Sequence, residues 1–135
     1  MTTPTPLSAA LSAAQVRALA EQHGHQPPCP ACQPFDRAGW DSFPSTVSDE
    51  ALQCLGALWS PAHDTPEPTL EEQRPPGVDQ WSPQAPIALG FFPYNRCEVW
   101  ACKACQKPFL RYTEYGGYYH DARLRTLDPA RLSAG

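Results

Sequence analysis

Apolar residues recur along this chain in two rhythms, and prolines divide the stretches that carry them. Between Ser12 and Gly24, the residues Val16, Leu19, Ala20 and His23 return every three or four positions, a narrow stripe along one side of a helix. Ser12-Ala-Ala-Gln15 has the spacing of a capping box, with Ser8 as an alternative cap and Gly24 as a stop. From Asp49 to Trp59, Leu52, Leu55, Leu58 and Trp59 keep the same helical interval. Ser48 would cap this second helix, Asp49 and Glu50 suit its positive end, and Pro61 ends it.

The last third changes period. Cys97–Ala101, Phe109–Tyr115 and Tyr118–Arg125 predict three short antiparallel strands, the last two joined by a two-residue turn at Gly116-Gly117. Counting back from that turn pairs Tyr115 with Tyr118, Thr113 with His120, Arg111 with Ala122 and Phe109 with Leu124. Neither face of the hairpin is cleanly apolar, so its aromatic residues define the core side. Asp128-Pro129 predicts a short helical turn near the end. The expected fold is α+β: a small antiparallel sheet of three strands, two helices and a long proline-rich loop.

Composition adds the segments between these elements. The 135 residues suit one domain spanning 1–135, and 17 of them are proline, which lacks an N–H and fixes φ. Residues 1–7, with Pro4 and Pro6, are expected to be a flexible tail. Pro27, Pro28, Pro30 and Pro34 force a turn. Phe35 to Phe43 reads as irregular chain anchored by Trp40 and Phe43. Residues 61–86 form an acidic proline-rich loop, either docked on the domain through Trp81 or acting as a flexible spacer. Thr69-Leu-Glu-Glu72 could begin one helical turn within it.

The formal charge of -4 is uneven: residues 1–93 carry ten acidic and three basic side chains, residues 94–135 four acidic and seven basic. That asymmetry leaves room for an anionic partner at the C-terminal end, although a solvated surface on both halves is the simpler account. The N-terminal Ala/Leu run lacks a positive start and is broken by Ser8, Ser12, Gln15 and Arg17, so no secretory signal is read there. No stretch approaches the roughly 18 apolar residues of a membrane span. A cytoplasmic location is the expectation, and six cysteines in a reducing compartment point to metal ligands or plain thiols.

Four of those cysteines fall in two pairs, Cys29-Pro-Ala-Cys32 and Cys102-Lys-Ala-Cys105. Two cysteines three positions apart can curl into a tight turn and aim both sulfurs at one ion, and two such turns complete the tetrahedron that zinc prefers. Both pairs read Cys-x-Ala-Cys-Gln with a proline and a phenylalanine soon after, which suggests two equivalent knuckles. Cys97, His23 and His25 lie near enough in sequence to replace a ligand, and Cys54 reads as a small core residue of the second helix. The arrangement resembles the zinc-ribbon class, and more distantly the rubredoxins. The ribbon resemblance implies a structural zinc held by knuckles on β-hairpins; the rubredoxin one implies iron and electron transfer. Zinc ribbons usually place glycine after the second cysteine of each knuckle, where this chain has Gln33 and Gln106, and the 69 residues between the knuckles exceed a minimal ribbon.

Cys-Pro-Ala-Cys is also a redox spacing, but Pro27, Pro28 and Pro34 deny it the preceding strand and following helix that such chemistry needs. Four thiolates close a zinc site, and His23, His25, His63 and His120 show no metalloprotease spacing. No phosphate-binding glycine loop or serine elbow is present. The function expected is therefore non-catalytic: a zinc-binding module with a protein partner. The alternative is nucleic-acid binding through the C-terminal hairpin, where Arg111, Arg123 and Arg125 could meet phosphates and Tyr112 and Tyr118 could stack on bases. Glu114 and Asp121 interrupt that patch.

Overall fold

The computed structural model describes residues 10–43, 49–60, 66–73, 75–79, 81–115 and 120–132. Its one α-helix among the described residues, α1 (Ala13–His23), starts as the capping box requires. The Ser12 hydroxyl accepts the Gln15 N–H at 3.1 Å, and Gln15 Oε1 accepts the Ser12 N–H at 2.8 Å. Ser8 lies outside the described residues. Gly24 ends the helix in the right-handed region, so its reason for being glycine is space and not φ. A Cβ there would lie 2.5 Å from the Ala20 carbonyl oxygen, 2.6 Å from that of Leu127 and 2.7 Å from Pro129 Cδ.

The strands are β1 (Asp41–Ser42), β2 (Leu52–Ala57), β3 (Glu98–Cys102), β4 (Pro108–Tyr115) and β5 (His120–Thr126). They form one antiparallel sheet in the order β1-β5-β4-β3-β2. One helix and five strands replace the expected two helices and three strands. The largest correction is β2. Its residues satisfy two rhythms at once: Leu52, Leu55 and Leu58 at a helical interval, and Leu52, Cys54 and Gly56 in alternation. Alternation wins because β3 lies alongside, pairing Leu52 with Cys102 and Cys54 with Trp100. Leu52 and Cys54 are buried while Gln53 and Leu55 are only partly so. Gly56, at φ 149°, permits the bulge that shifts the register between Cys54 and Gly56. Only a 3₁₀ turn, Asp49–Ala51, remains of the expected helix, and Ser48 lies outside the described residues.

The β4–β5 ladder also differs from expectation. Tyr115 pairs with His120, Thr113 with Ala122, Arg111 with Leu124 and Phe109 with Thr126. The connection therefore spans residues 116–119, longer than a two-residue turn; Gly116 and Gly117 lie outside the described residues. The slip is two positions, one full side-chain repeat, so each residue keeps the face that alternation assigns it. At the opposite end of the sheet from β2, Asp41 and Ser42 add β1 to β5, inside the stretch expected to be irregular.

Alternation along β4 feeds two cores. Leu110, with Val99 of β3, faces Val16 and Ala20 of α1 and the loop residues Trp40, Ile87, Leu89, Tyr94 and Leu127. Phe109 and Leu124 face the other way, against Leu52, Cys102, Cys32 and Phe35. The described part of 61–86 is docked, not a free spacer. Asn95 Nδ2 donates to the Thr69 carbonyl at 2.8 Å, the Phe92 N–H to that of Glu71 at 2.7 Å, and Arg96 to that of Pro68 at 2.8 Å. Arg96 also pairs with Glu67 at 2.9 Å. Thr69 to Glu72 makes no helical turn. Asp128 caps the expected last turn, Pro129–Arg131, by accepting the Ala130 N–H at 2.9 Å. Among the described residues no helix is long and apolar enough to cross a membrane.

Gly24→Ala forces backbone that has nowhere to move, so it should cost about 1–3 kcal/mol, as overpacking does. A lower urea midpoint with unchanged slope is the expected observation; an unchanged midpoint contradicts the close approach.

Candidate metal centre

The first cysteine pair is built by the chain leaving α1. After Pro27 and Pro28 the backbone curls: the Cys29 carbonyl accepts the Cys32 N–H at 3.1 Å and the Gln33 N–H at 2.9 Å. A 3₁₀ turn, Gln33–Phe35, follows, with Pro34 in its first positions, where a missing N–H costs nothing. Phe35 is buried against the sheet and meets Phe43 at 5.2 Å between ring centroids. That wedge fixes the pair over the face carrying Phe109 and Leu124.

The second pair spans the end of β3 and the turn that follows it: Cys102 is the last residue of the strand and Cys105 lies in the turn towards β4. The Cys102 N–H donates to the Lys107 carbonyl at 3.0 Å and the Gln106 N–H to that of Cys102 at 2.9 Å. Gln106 takes φ 71°, the left-handed conformation that glycine adopts most easily. Gln33 instead continues into the 3₁₀ turn. Two knuckles nearly identical in sequence thus differ in backbone, because Pro34 promotes a helical turn one residue after Gln33, whereas Lys107 separates Gln106 from Pro108.

The structure brings the four sulfurs together. Cys29 and Cys102 are 3.6 Å apart, Cys32 and Cys105 3.6 Å, Cys29 and Cys32 3.8 Å, and all four lie within 4.8 Å of one another. A tetrahedral ion about 2.3 Å from each thiolate sets its sulfurs about 3.8 Å apart, so the quartet could hold a metal ion. Cys32 and Cys102 are fully buried; Cys29 and Cys105 are partly exposed. Burial pushes the Cys32 and Cys102 thiols above their ordinary range. Burial acts upward on Cys105 too, but backbone N–H groups of Lys107 and Cys29 and the neighbouring thiols outweigh it and bring it down to about 6. A divalent cation reverses the preference for neutral thiols by drawing out the thiolates.

None of the alternative ligands joins the group. Cys97 is buried in the α1-side core with its sulfur 3.3 Å from the Pro93 carbonyl oxygen. His23 Nδ1 lies 3.2 Å from Gln26 Oε1, and His25 is exposed. Cys54 is a core residue as expected, though of a strand. Two supporting residues carried no signal in the sequence. Gln26 Nε2 donates to the Cys105 carbonyl at 2.7 Å, and the buried Lys107 ammonium donates to the carbonyls of Gln26 and, at 3.4 Å, Gly24. Together they lash the second knuckle to the chain entering the first. Both are ordinary surface residues by type, and only the fold shows their partners.

The expected hairpin surface is largely committed to packing. Arg125 is a correction: it is fully buried, donating to Tyr94 Oη at 2.7 Å and to the Ala85 carbonyl at 2.7 Å, and cannot reach an outside phosphate. The partners that allow its burial come from distant loops, invisible to local pattern. Arg111 lies over Phe43 and Trp100, 4.6 and 4.8 Å from their centroids. Arg123 covers Trp81 at 4.4 Å and pairs with Asp121 at 3.3 Å. Tyr112 packs on Trp40 and Phe92. Tyr118 lies outside the described residues. Compared with known protein families, curated proteins and solved structures, the chain matches none.

Three outcomes follow from this geometry. Gln106→Gly relieves a left-handed side chain and should raise stability by about 1 kcal/mol, read from denaturant unfolding of the metal-loaded protein. Loading the metal-free protein at neutral pH should release protons, those of the raised Cys32 and Cys102 thiols among them, and apparent affinity should weaken as pH falls, both measurable by calorimetry in buffers of different ionisation enthalpy. Cys102→Ser should abolish stoichiometric binding, because it removes a buried ligand at the centre of the second core.

Proposed function

We propose that this chain is a non-catalytic zinc-binding module of the cytosol that works by holding a protein partner. The observation that carries the reading is the closure of the sulfur quartet: four protein ligands at tetrahedral spacing leave no coordination position for a substrate or an activated water. The zinc-ribbon resemblance of the two knuckles supports zinc, and the same four sulfurs would suit iron. Two further observations favour a protein partner over nucleic acid. Arg111, Arg123 and Arg125 are engaged with rings, Asp121 and loop carbonyls. And β2 is an edge strand whose outer side, among the described residues, meets only Ala10 and Leu11 at Ala57. An extended segment of a partner can add to such an edge through main-chain hydrogen bonds.

Elemental analysis of the purified protein tests the first half: about one zinc per chain is expected, and one iron with visible charge-transfer absorption would move the chain to the electron carriers. Capture on the tagged full chain tests the second, with chelator-stripped protein as control. Partners retained by the metal-loaded chain alone support the reading. Tight, salt-sensitive binding of single-stranded oligonucleotides that weakens on Arg123→Ala would replace it with the nucleic-acid reading.

A further inference from the structure

One segment of the chain sits on the domain as a bound peptide would. Residues 66–73, Pro-Glu-Pro-Thr-Leu-Glu-Glu-Gln, form no helix or strand and lie largely in solvent, and Leu70, their one large apolar side chain, is 67% exposed. Four hydrogen bonds tie Glu67 to Glu71 down, and in all four the domain donates. Arg96 gives Nη1 to the Glu67 carboxylate and Nη2 to the Pro68 carbonyl, Asn95 Nδ2 meets the Thr69 carbonyl, and the Phe92 N–H meets that of Glu71, at 2.7 to 2.9 Å. As the strap advances from 67 to 71, its partners run back from Arg96 to Phe92. The Arg96 fork is held in place by the rings of Trp59 and Phe92, 5.4 and 5.9 Å from its guanidinium. Yet the strap fills its seat incompletely. Asn95 Oδ1 and Arg96 Nε are buried without a hydrogen-bond partner among the described residues, and a cleft remains between Glu72 and Gln73 of the strap and Pro86, Phe92 and Tyr94. The Glu67 side chain is 65% exposed, and so open an ion pair holds weakly.

We propose that Phe92, Asn95 and Arg96 form a recognition face for an acidic linear segment of a protein partner, a face that residues 66–73 occupy as a built-in competitor. Asn95 and Arg96 end the 3₁₀ turn Tyr94–Arg96 just before β3, at the opposite end of that strand from Cys102, so this surface is distinct from the metal centre. The donors define the partner. They ask for one carboxylate followed by a run of main-chain carbonyls. Proline next to the carboxylate suits them, because Pro68 meets Arg96 through its carbonyl and has no N–H to leave unpaired. A partner carboxylate that also took Arg96 Nε would pair in the bidentate manner that Glu67, bound to Nη1, does not. The tethered strap competes at high effective concentration, so the partner must displace it.

The test uses the full chain and, as probe, a fluorescein-labelled peptide of residues 66–73 followed by anisotropy. Glu67→Lys, at an exposed position, sets like charge against Arg96 and opens the strap. This variant should bind the peptide at least about tenfold more tightly than the unsubstituted chain, the weight of one charge-assisted hydrogen bond. Its Phe92 amide should exchange faster with solvent and regain protection when peptide is added. Arg96→Lys in the opened variant keeps the charge but not the fork, and Glu67→Gln in the peptide leaves the chain untouched; each should weaken binding at least about fivefold. Leu70→Ala in the peptide should change nothing. Peptide that binds the opened variant no more tightly than the unsubstituted chain, or equally well without the fork or the first carboxylate, overturns the inference. So does a dimer of the opened variant that excludes the peptide, which makes a second copy the occupant. None of these outcomes depends on zinc content, so the metal reading stands or falls apart from them.

Discussion

The convergence of four sulfurs from segments 73 positions apart is the constraint on which the rest of the molecule depends. Closing so long a loop costs entropy that grows only slowly with its length, so the intervening chain is nearly free to be long. What matters is that both ends be held. The first knuckle has no strand of its own. It stays on the sheet through Phe35, through Gln26 and Lys107, and through the sulfurs themselves. Without an ion the four thiols crowd together beside the smaller core, and burial, followed by the neighbouring thiols, opposes ionisation of Cys32 and Cys102.

The sheet acts as a partition between two environments. On one side α1 and the docked loops cover aliphatic residues and a buried arginine whose hydrogen bonds all go to neutral acceptors. On the other, the cysteine knuckle, Phe35 and Phe109 make a smaller core. Pro108 to Tyr115 supplies both sides by simple alternation. A register slip of one residue would exchange the two linings, which is why the pairing must be exact to one side-chain repeat even where the connecting loop is long.

How much of this the sequence discloses depends on the range of the forces involved. The capping box, the helix it starts and the cysteine spacing are local, and they are legible in a few residues. The strand Leu52–Ala57 is not, because its leucines obey both periods and the deciding partner is some fifty residues away. The Gly116-Gly117 pair suggests a two-residue hairpin, yet the described ladder pairs Tyr115 with His120. Arg125 reads as surface from its charge, and only the carbonyls of Pro83 and Ala85 and the hydroxyl of Tyr94 make its burial tolerable. The four-sulfur set was legible; the Gln26 and Lys107 braces behind it were not.

Those braces tie distant parts together. Lys107 grips the carbonyl of Gly24, and Gly24 is wedged between the last turn of α1 and the backbone at Leu127 and Pro129. The sulfur cluster, the exit of the helix and the C-terminal turn therefore share one stiff joint. Through Gly24 the C-terminal turn is joined to the sulfur cluster, although no cysteine lies near that turn in sequence.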